Sequence, residues 1–143
     1  MGFTHANIKL INTDDVALVR NGYKQKDQVR ELDVDVLVDS GAIDLCINEE
    51  IKGQMDLATV ENTKARLADG SLVDVEIVGP VTIKFLNRQT TVNAVVLPGN
   101  AEPLLGAIPL EGLDLIIDPL DQKLKLPPMR PNKSVRILAG LQR

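Results

Sequence analysis

Alternating apolar and polar residues run along most of the chain and predict a β-rich fold. The alternation is cleanest over residues 32–38, where one face carries leucine and valine and the other carries Asp33, Asp35 and Leu37. Similar stretches recur with turn residues between them, and about nine short strands are expected. That spacing is typical of a small barrel or sandwich.

Two hairpins are predicted from turns that contain glycine. An Asn-Gly pair follows residues 16–20, which we interpret as a short strand, and the polar residues 24–31 are expected at the tip of that hairpin. Asp69 and Gly70 separate two longer alternating arms. This pair favours a type I′ turn, in which both central residues have positive φ.

Helical signals are short and few. One turn is expected at residues 48–52, ended by Gly53, and another at residues 108–113, where Pro109 is tolerated near the start. Strands do not alternate with long helices along the chain, so the pattern argues against a parallel α/β sheet.

Size and composition fit one folded domain over residues 1–143. Hydrophobic residues make up 44%, and the net charge is −4 with no run of Lys or Arg, which argues against nucleic-acid binding. The single cysteine, Cys46, cannot form an internal disulfide, and no secretory segment is visible, which favours a cytoplasmic location. No apolar run reaches the roughly 20 residues of a membrane span, so no membrane partner is expected.

The residue types present argue against several kinds of functional site. His5 is the one histidine and Cys46 the one cysteine, so zinc sites and Ser-His-Asp or Cys-His sites within one chain lack their residues. Trp is absent, which argues against platforms that stack single-stranded bases. We therefore expect no metal and no cofactor. Carboxylates, by contrast, are abundant, with 20 Asp and Glu residues.

Asp39 lies where an apolar strand ends, in the stretch "VLVDSGAIDL", and three interpretations of it are open. A plain turn favours Asp, Ser and Gly, but it does not need apolar strands on both sides. Phosphoryl transfer would use Asp33 and Asp35, spaced as in a D-x-D pattern, but these lie at the start of the strand and the chain lacks the α/β pattern. The third is hydrolysis by two carboxylates that share one proton.

The segment "LVDSGAIDLCI" resembles the active-site segment of retroviral-type, or retropepsin-like, aspartic peptidases, which reads apolar-apolar-Asp-Ser/Thr-Gly-Ala. A second segment, "PLLGAIPLEGLDLIID", is similar to the family's other landmark, an apolar pair and a glycine before a short helix and a strand. The resemblance covers residues 4–126 and is greatest to small cellular and prokaryotic relatives. It implies an all-β fold: a small closed barrel with one short helix, a β-hairpin flap and a homodimeric assembly.

The resemblance also implies roles for individual residues. Asp39 would be the catalytic carboxylate, and the Ser40 hydroxyl would lock two subunits together. Gly41 and Ala42 would line the backbone of the substrate. The remaining residues have supporting roles: Asp69 and Gly70 at the tip of the flap, and Leu104, Leu105 and Gly106 packed behind the catalytic loop.

A homodimer is expected because Asp-Ser-Gly occurs once and the chain is too short for a two-lobed enzyme. A twofold axis through the site would place Asp39 beside Asp39 of a second copy. The first strand and the tail, residues 127–143, are candidates for the interface. The expected substrate is an extended peptide or an unfolded protein, cleaved internally by a water activated between the two carboxylates.

Two departures from the family keep a second interpretation open. Viral members carry an acidic residue and an arginine at the positions of Ile43 and Ala107, and an apolar contact is expected to replace that ion pair. The hairpin tip has one glycine, Gly70, where viral flaps are glycine-rich. The alternative is therefore a non-catalytic peptide-binding or dimerisation module with the same fold, and a unit that cleaves only its own precursor is a third.

Overall fold

The computed structural model describes residues 3–134 of the 143-residue chain. Within that range the strands are β1 Thr4–Asn12, β2 Glu31–Val38, β3 Leu45–Asn48, β4 Thr59–Arg66, β5 Leu72–Phe85, β6 Arg88–Leu97, β7 Leu104–Leu105, β8 Ile116–Asp118 and β9 Lys123–Lys125. The helices are α1 Thr13–Arg20, α2 Glu49–Met55 and α3 Ala107–Leu113. The β-rich architecture predicted from the alternation is confirmed, whereas the expectation of one short helix is wrong.

One large sheet carries the fold. Its seven strands follow the order β1-β2-β7-β3-β6-β5-β4, and β8 pairs with β9 in a separate two-stranded sheet. The large sheet curls far enough for β1 to pair with β5 as well, with Asn12 opposite Val81. A register shift between Val78 and Val81 marks the point where one edge of β5 changes its partner from β4 to β1.

The core forms because alternate residues of the strands point to the same side. On β2, Val34, Val36 and Val38 are buried, while Asp33 and Asp35 face solvent, as the sequence predicts. The other strands contribute in the same way, and the least exposed of their apolar side chains are Ile8, Leu10, Leu45, Ile47, Val78, Val81, Ile83, Ala94 and Leu105. Burying an aliphatic side chain of this size contributes about 1.5–3 kcal/mol, so the inner face of the sheet contributes strongly to stability.

Helix α1 replaces the strand predicted at residues 16–20. Asn12 is its N-cap, and the Asn12 side chain accepts a hydrogen bond from the backbone N–H of Asp15 at 3.1 Å. Asp14 and Asp15 occupy the first turn and Arg20 the last, which complements the helix dipole. The predicted hairpin with residues 24–31 at its tip is therefore wrong, and a short 3-10 turn lies there instead, at Lys26–Gln28.

Asp15 anchors the connection that follows α1. Its carboxylate is 5% exposed and accepts hydrogen bonds from the Lys24 ammonium at 2.6 Å and from the backbone N–H of Arg30 at 3.0 Å. Burial acts to raise the pKa of Asp15, but these hydrogen bonds and the charges of Lys24 and Arg30 outweigh it and hold the pKa below its ordinary value.

We expect Asp15→Asn to destabilise the fold by roughly 1–3 kcal/mol at neutral pH, because it removes a buried, charge-assisted hydrogen-bond acceptor. A lowered folded-state pKa means that Asp15 stabilises the fold above the ordinary Asp pKa, about 4, and that this contribution is lost as pH falls through the lower folded value. Urea unfolding at neutral and strongly acidic pH measures the destabilisation by Asp15→Asn and its disappearance at low pH. The exposed Asp27→Asn serves as the control, and an equal effect of the two changes at neutral pH would contradict the anchoring role.

Helix α2 begins where predicted but continues beyond Gly53 to Met55. The Asn48 side chain caps it by accepting from the Ile51 N–H at 3.0 Å, and Ile51 and Met55, one turn apart, are buried. Asp56 ends the helix in the left-handed conformation that glycine usually supplies. None of the helices in residues 3–134 has the length and apolar character to span a membrane.

Both chain segments expected at a dimer interface contact their own subunit. Strand β1 pairs with β2 along Thr4 to Ile11. In the tail, the Arg130 guanidinium donates two hydrogen bonds of 2.7 Å to the Asp114 carboxylate, and the Asn87 side chain donates to the Pro131 carbonyl at 2.8 Å. Residues 135–143 lie outside the described part of the chain. A role for these segments in an interface stays a prediction.

Candidate active site

Asp39 directly follows the end of β2 and lies at the surface. The backbone N–H of Leu37 donates to the Pro103 carbonyl at 2.9 Å, and that of Asp39 donates to the Leu105 carbonyl at 3.0 Å. These bonds continue the parallel pairing of β2 with β7 by one residue beyond the end of β2. The backbone of Asp39 is thus fixed by the sheet while its carboxylate is exposed.

The loop after Asp39 folds back onto its carboxylate. The backbone N–H of Gly41 donates to Asp39 Oδ1 at 2.9 Å, and the N–H of Ala42 donates to the Asp39 carbonyl at 3.1 Å. A Cβ on residue 41 would lie 3.2 Å from Oδ1, closer than usual, so glycine suits this approach. Ser40 is exposed, and its hydroxyl has no hydrogen-bond partner among residues 3–134.

Strand β7 passes between β2 and β3 directly behind this loop. Leu104 and Leu105 pair in parallel with β2 and antiparallel with β3. Gly106, the next residue, donates its N–H to the Asp44 carbonyl at 3.1 Å. A Cβ on Gly106 would lie 2.6 Å from that oxygen and 2.7 Å from the carbonyl carbon of Ile43, so no side chain fits without moving the loop.

Two backbone hydrogen bonds join the start of α3 to the Asp39 loop. Ala107 donates its N–H to the Ala42 carbonyl at 2.9 Å, and Ile108 donates to the Ile43 carbonyl at 2.9 Å. The Ile43 side chain is 65% exposed and Ala107 is partly buried, and an apolar contact between them stays a prediction. The start of α3 is nevertheless joined to the Asp39 loop at two successive residues.

Asp69 and Gly70 lie at the tip of the hairpin formed by β4 and β5, as predicted, but the turn type differs. Gly70 has a φ of 87° and Asp69 is not in the positive-φ region, so the tip is not a type I′ turn. It is a three-residue loop with glycine at the left-handed position, closed by the Leu67 N–H, which donates to the Ser71 carbonyl at 2.8 Å, and by the Gly70 N–H, which donates to the Leu67 carbonyl at 2.9 Å. The Ser71 hydroxyl and N–H donate to the Asp69 carboxylate and hold its pKa below the usual range.

Of the predicted site residues, those of the Asp39 loop and of β7 are joined to one another. Asp69 and Gly70, at the hairpin tip, are not joined to them. Backbone hydrogen bonds join the Asp39 loop to β7 and to the start of α3. The described hydrogen bonds of the hairpin tip stay within the hairpin. A cavity of about 370 Å³ lies beneath the hairpin and another of about 780 Å³ beside α3, and Asp39 lines neither. No cluster of three metal-ligating side chains occurs within the range described.

One polar network near the hairpin was not predicted. Glu76 on β5 accepts a hydrogen bond from Lys52 on α2 at 2.5 Å and another from the Thr59 hydroxyl on β4. From the sequence, Lys52 looks like part of a solvated helix face. No local pattern could reveal the contact, because it depends on how α2 packs against a strand that lies 24 positions further along the chain.

The arrangement has a counterpart among solved structures. The crystal structure of the retroviral protease-like domain of Ddi1 from Leishmania major is similar to this chain with a TM-score of 0.52, over 87% of this chain and 90% of that one. The fold is retropepsin-like. Sequence identity over the match is 16%, so the similarity shows the fold and not an activity. No protein-family model and no curated protein matches the chain.

Proposed function

We propose that the protein is an aspartic endopeptidase that acts as a homodimer, with one Asp39 from each copy. The observation that carries the proposal is the Asp39 loop, in which a strand fixes the backbone of the aspartate while the Gly41 N–H binds one carboxylate oxygen. This loop lies in a retropepsin-like fold, with Gly106 packed against it.

The chemistry requires two carboxylates that hold one proton between them, because two like charges at such a distance cannot both ionise. The ionised carboxylate takes a proton from a water molecule as the water oxygen attacks the scissile carbonyl carbon. The protonated carboxylate donates a hydrogen bond to the carbonyl oxygen and polarises it. Collapse of the tetrahedral intermediate breaks the C–N bond, and the amine leaves with a proton returned by the carboxylate pair. The pair titrates as a unit.

A second copy is needed because one chain offers one such aspartate. Among residues 3–134, no other carboxylate is hydrogen-bonded to Asp39, and both Asp39 and Ser40 are exposed. An exposed half-site is what a site shared across a twofold axis presents in each subunit. Ser40 would then hydrogen-bond across the axis, and the two Asp39 loops would face each other.

The substrate is an extended peptide held between the Asp39 loop and the β4–β5 hairpin, which would act as the flap. Gly41 and Ala42 would line its backbone, which would lie as an added strand with side chains alternating between pockets. The exposed tip around Asp69 and Gly70 would close over it. Leu104, Leu105 and Gly106 would support the loop from behind without contacting the substrate.

Peptide hydrolysis tests the proposal. We expect a mixture of unstructured peptides to be cleaved internally at mildly acidic pH, and a statine-type peptide mimic, which resembles the tetrahedral intermediate, to block the cleavage. Binding of the mimic without any hydrolysis would instead favour the non-catalytic peptide-binding module. Absence of both binding and hydrolysis would contradict both functions.

The dimer is tested separately by sedimentation. One chain has a mass of 15.6 kDa, so we expect a species of about 31 kDa, twice that value, at the concentrations used for assays. A mass that stays at 15.6 kDa with and without the peptide mimic would contradict a shared site.

A further inference from the structure

The β4–β5 hairpin leaves the sheet at Glu76. On β5, residues from Glu76 onward pair with β6, beginning with Glu76 opposite Val96. Residues 72–75 pair with β4 alone, and their partners on β4 are themselves largely exposed. The outer part of the hairpin is therefore a two-stranded arm, and its orientation is decided at its root.

Three elements meet at the side chain of Glu76. Its Oε1 accepts a hydrogen bond from Lys52 Nζ on α2 at 2.5 Å, and its Oε2 accepts one from the Thr59 hydroxyl at the start of β4. The Lys52 and Glu76 side chains are 29% and 21% exposed, so water screens this pair less than it screens a fully exposed one. The carboxylate thus joins both strands of the hairpin, at its root, to a helix outside it.

Helix α2 is a firm point of attachment. Its Ile51 and Met55 are buried in the core, and the buried Asn12 side chain donates to the Met55 carbonyl at 2.9 Å. Lys52 projects from this fixed helix, so its hydrogen bond to Glu76 restrains the root of the hairpin, where the arm begins.

A second ion pair joins the two strands of the arm only to each other. Lys64 Nζ lies 2.6 Å from Asp74 Oδ1 and joins β4 to β5, with both side chains mostly exposed. It stiffens the arm but cannot fix its angle to the body. The hydrogen bonds from Lys52 and Thr59 also hold the pKa of Glu76 below the usual range. Glu76 therefore stays ionised at mildly acidic pH.

We propose that Glu76 is a positioning residue. Its hydrogen bonds with Lys52 and Thr59, which we call the latch, fix the root of the hairpin and set how far the arm stands from the body. The cavity of about 370 Å³ beneath the hairpin, lined in part by Glu76, Val96 and Pro98, gives the arm room to move when the latch is broken. The latch itself follows from these contacts. Its consequence for catalysis rests on the proposed function, since only a flap that covers substrate would pass the change on to turnover.

Amide hydrogen exchange on the whole protein tests the latch without any assay of activity. In Glu76→Gln, which keeps the shape but loses the charge, we expect amides of residues 62–75 to exchange about tenfold faster, while those of Ile83 and Ala94 in the core are unchanged. Asp74→Asn is the matched control, because it breaks a Lys–carboxylate pair two residues away without detaching the arm. Unchanged exchange in the hairpin of Glu76→Gln, or an equal rise throughout the protein, would overturn the proposal.

Two further variants keep the test decisive. Thr59→Val removes one hydrogen bond and leaves the ion pair, so a smaller acceleration confined to the hairpin is expected even where Glu76→Gln folds poorly. The exchanged pair Lys52→Glu with Glu76→Lys is expected to slow hairpin exchange relative to either single change. Failure of this rescue counts against the latch.

Kinetics then separate the latch from the peptidase proposal. With a cleavable peptide, Glu76→Gln is expected to raise KM more than it lowers kcat, because the Asp39 loop is untouched and the flap closes less often. Faster hairpin exchange in a protein that cleaves nothing would support the latch and contradict the peptidase. Peptide cleavage by Glu76→Gln with unchanged hairpin exchange and unchanged KM would support the peptidase and contradict the latch.

Discussion

Asp39→Asn is expected to abolish peptide hydrolysis, with a loss of about a thousandfold or more in kcat/KM. The neutral amide cannot take a proton from water, and a dimer of the variant has no carboxylate left at its centre. General acid–base groups contribute about 10²–10⁴-fold each, and here one change removes both members of the pair. The measurement is initial cleavage rate at mildly acidic pH with the same peptide for both proteins.

The variant should remain folded, which is what makes the comparison informative. Asn keeps an oxygen that can accept the hydrogen bond from the Gly41 N–H, and the side chain at residue 39 is exposed. Asp44→Asn is the matched control, since Asp44 is an exposed carboxylate five positions further along the same loop region, and its rate should stay within about twofold of wild type. Equal hydrolysis by wild type and Asp39→Asn would exclude Asp39 from the chemistry.

Gly106→Ala is expected to be the most disruptive single methyl group that can be added near the site. The new Cβ would lie 2.6 Å from the Asp44 carbonyl oxygen and within 2.9 Å of two backbone carbons, and none of these atoms belongs to a flexible side chain. Relief requires β7 to separate from the Asp39 loop. We expect a loss of about 3 kcal/mol in the free energy of unfolding, together with most of the activity.

Gly53→Ala is the matched comparison, and its effect should have the opposite sign. Gly53 lies within α2, and a Cβ there would meet nothing within 4 Å. Alanine at an open helical position is favoured over glycine by about 0.5–1 kcal/mol. Urea unfolding of the two variants side by side therefore separates a steric requirement from a general effect of replacing glycine. Equal stability of Gly106→Ala and wild type would contradict the close packing of β7 behind the loop.

The strands were predictable from the sequence where one face is buried, because burial imposes the two-residue period. Helix α1 was not predictable in this way, because Val16 and Leu18 are spaced like alternate residues of a strand. Both are about 40% exposed, so their apolar character does not mark a buried face. The sequence carries the capping residue Asn12, followed by Asp14 and Asp15 in the first turn of the helix. Asn and Asp favour turns and helix starts alike, so composition alone cannot separate the two.

The candidate site was predictable as a set of residues but not as a set of contacts. Asp39 and Gly41 lie two positions apart in the chain, so the hydrogen bond between them is a local interaction. The bonds from Ala107 and Ile108 to the Asp39 loop cross more than 60 positions, and they form because β7 lies between β2 and β3. Glu76 and Lys52 meet for the same kind of reason, through the packing of a helix against a strand.

Mixing wild type with Asp39→Asn tests a shared site most directly. The two proteins are combined in equal amounts, allowed to exchange subunits, and assayed at the same total concentration as wild type alone. If both Asp39 carboxylates are required, only dimers of two wild-type chains are active, and the mixture should retain about one quarter of the activity. A retained activity of about one half would mean that each chain works independently, and it would contradict the proposed shared site.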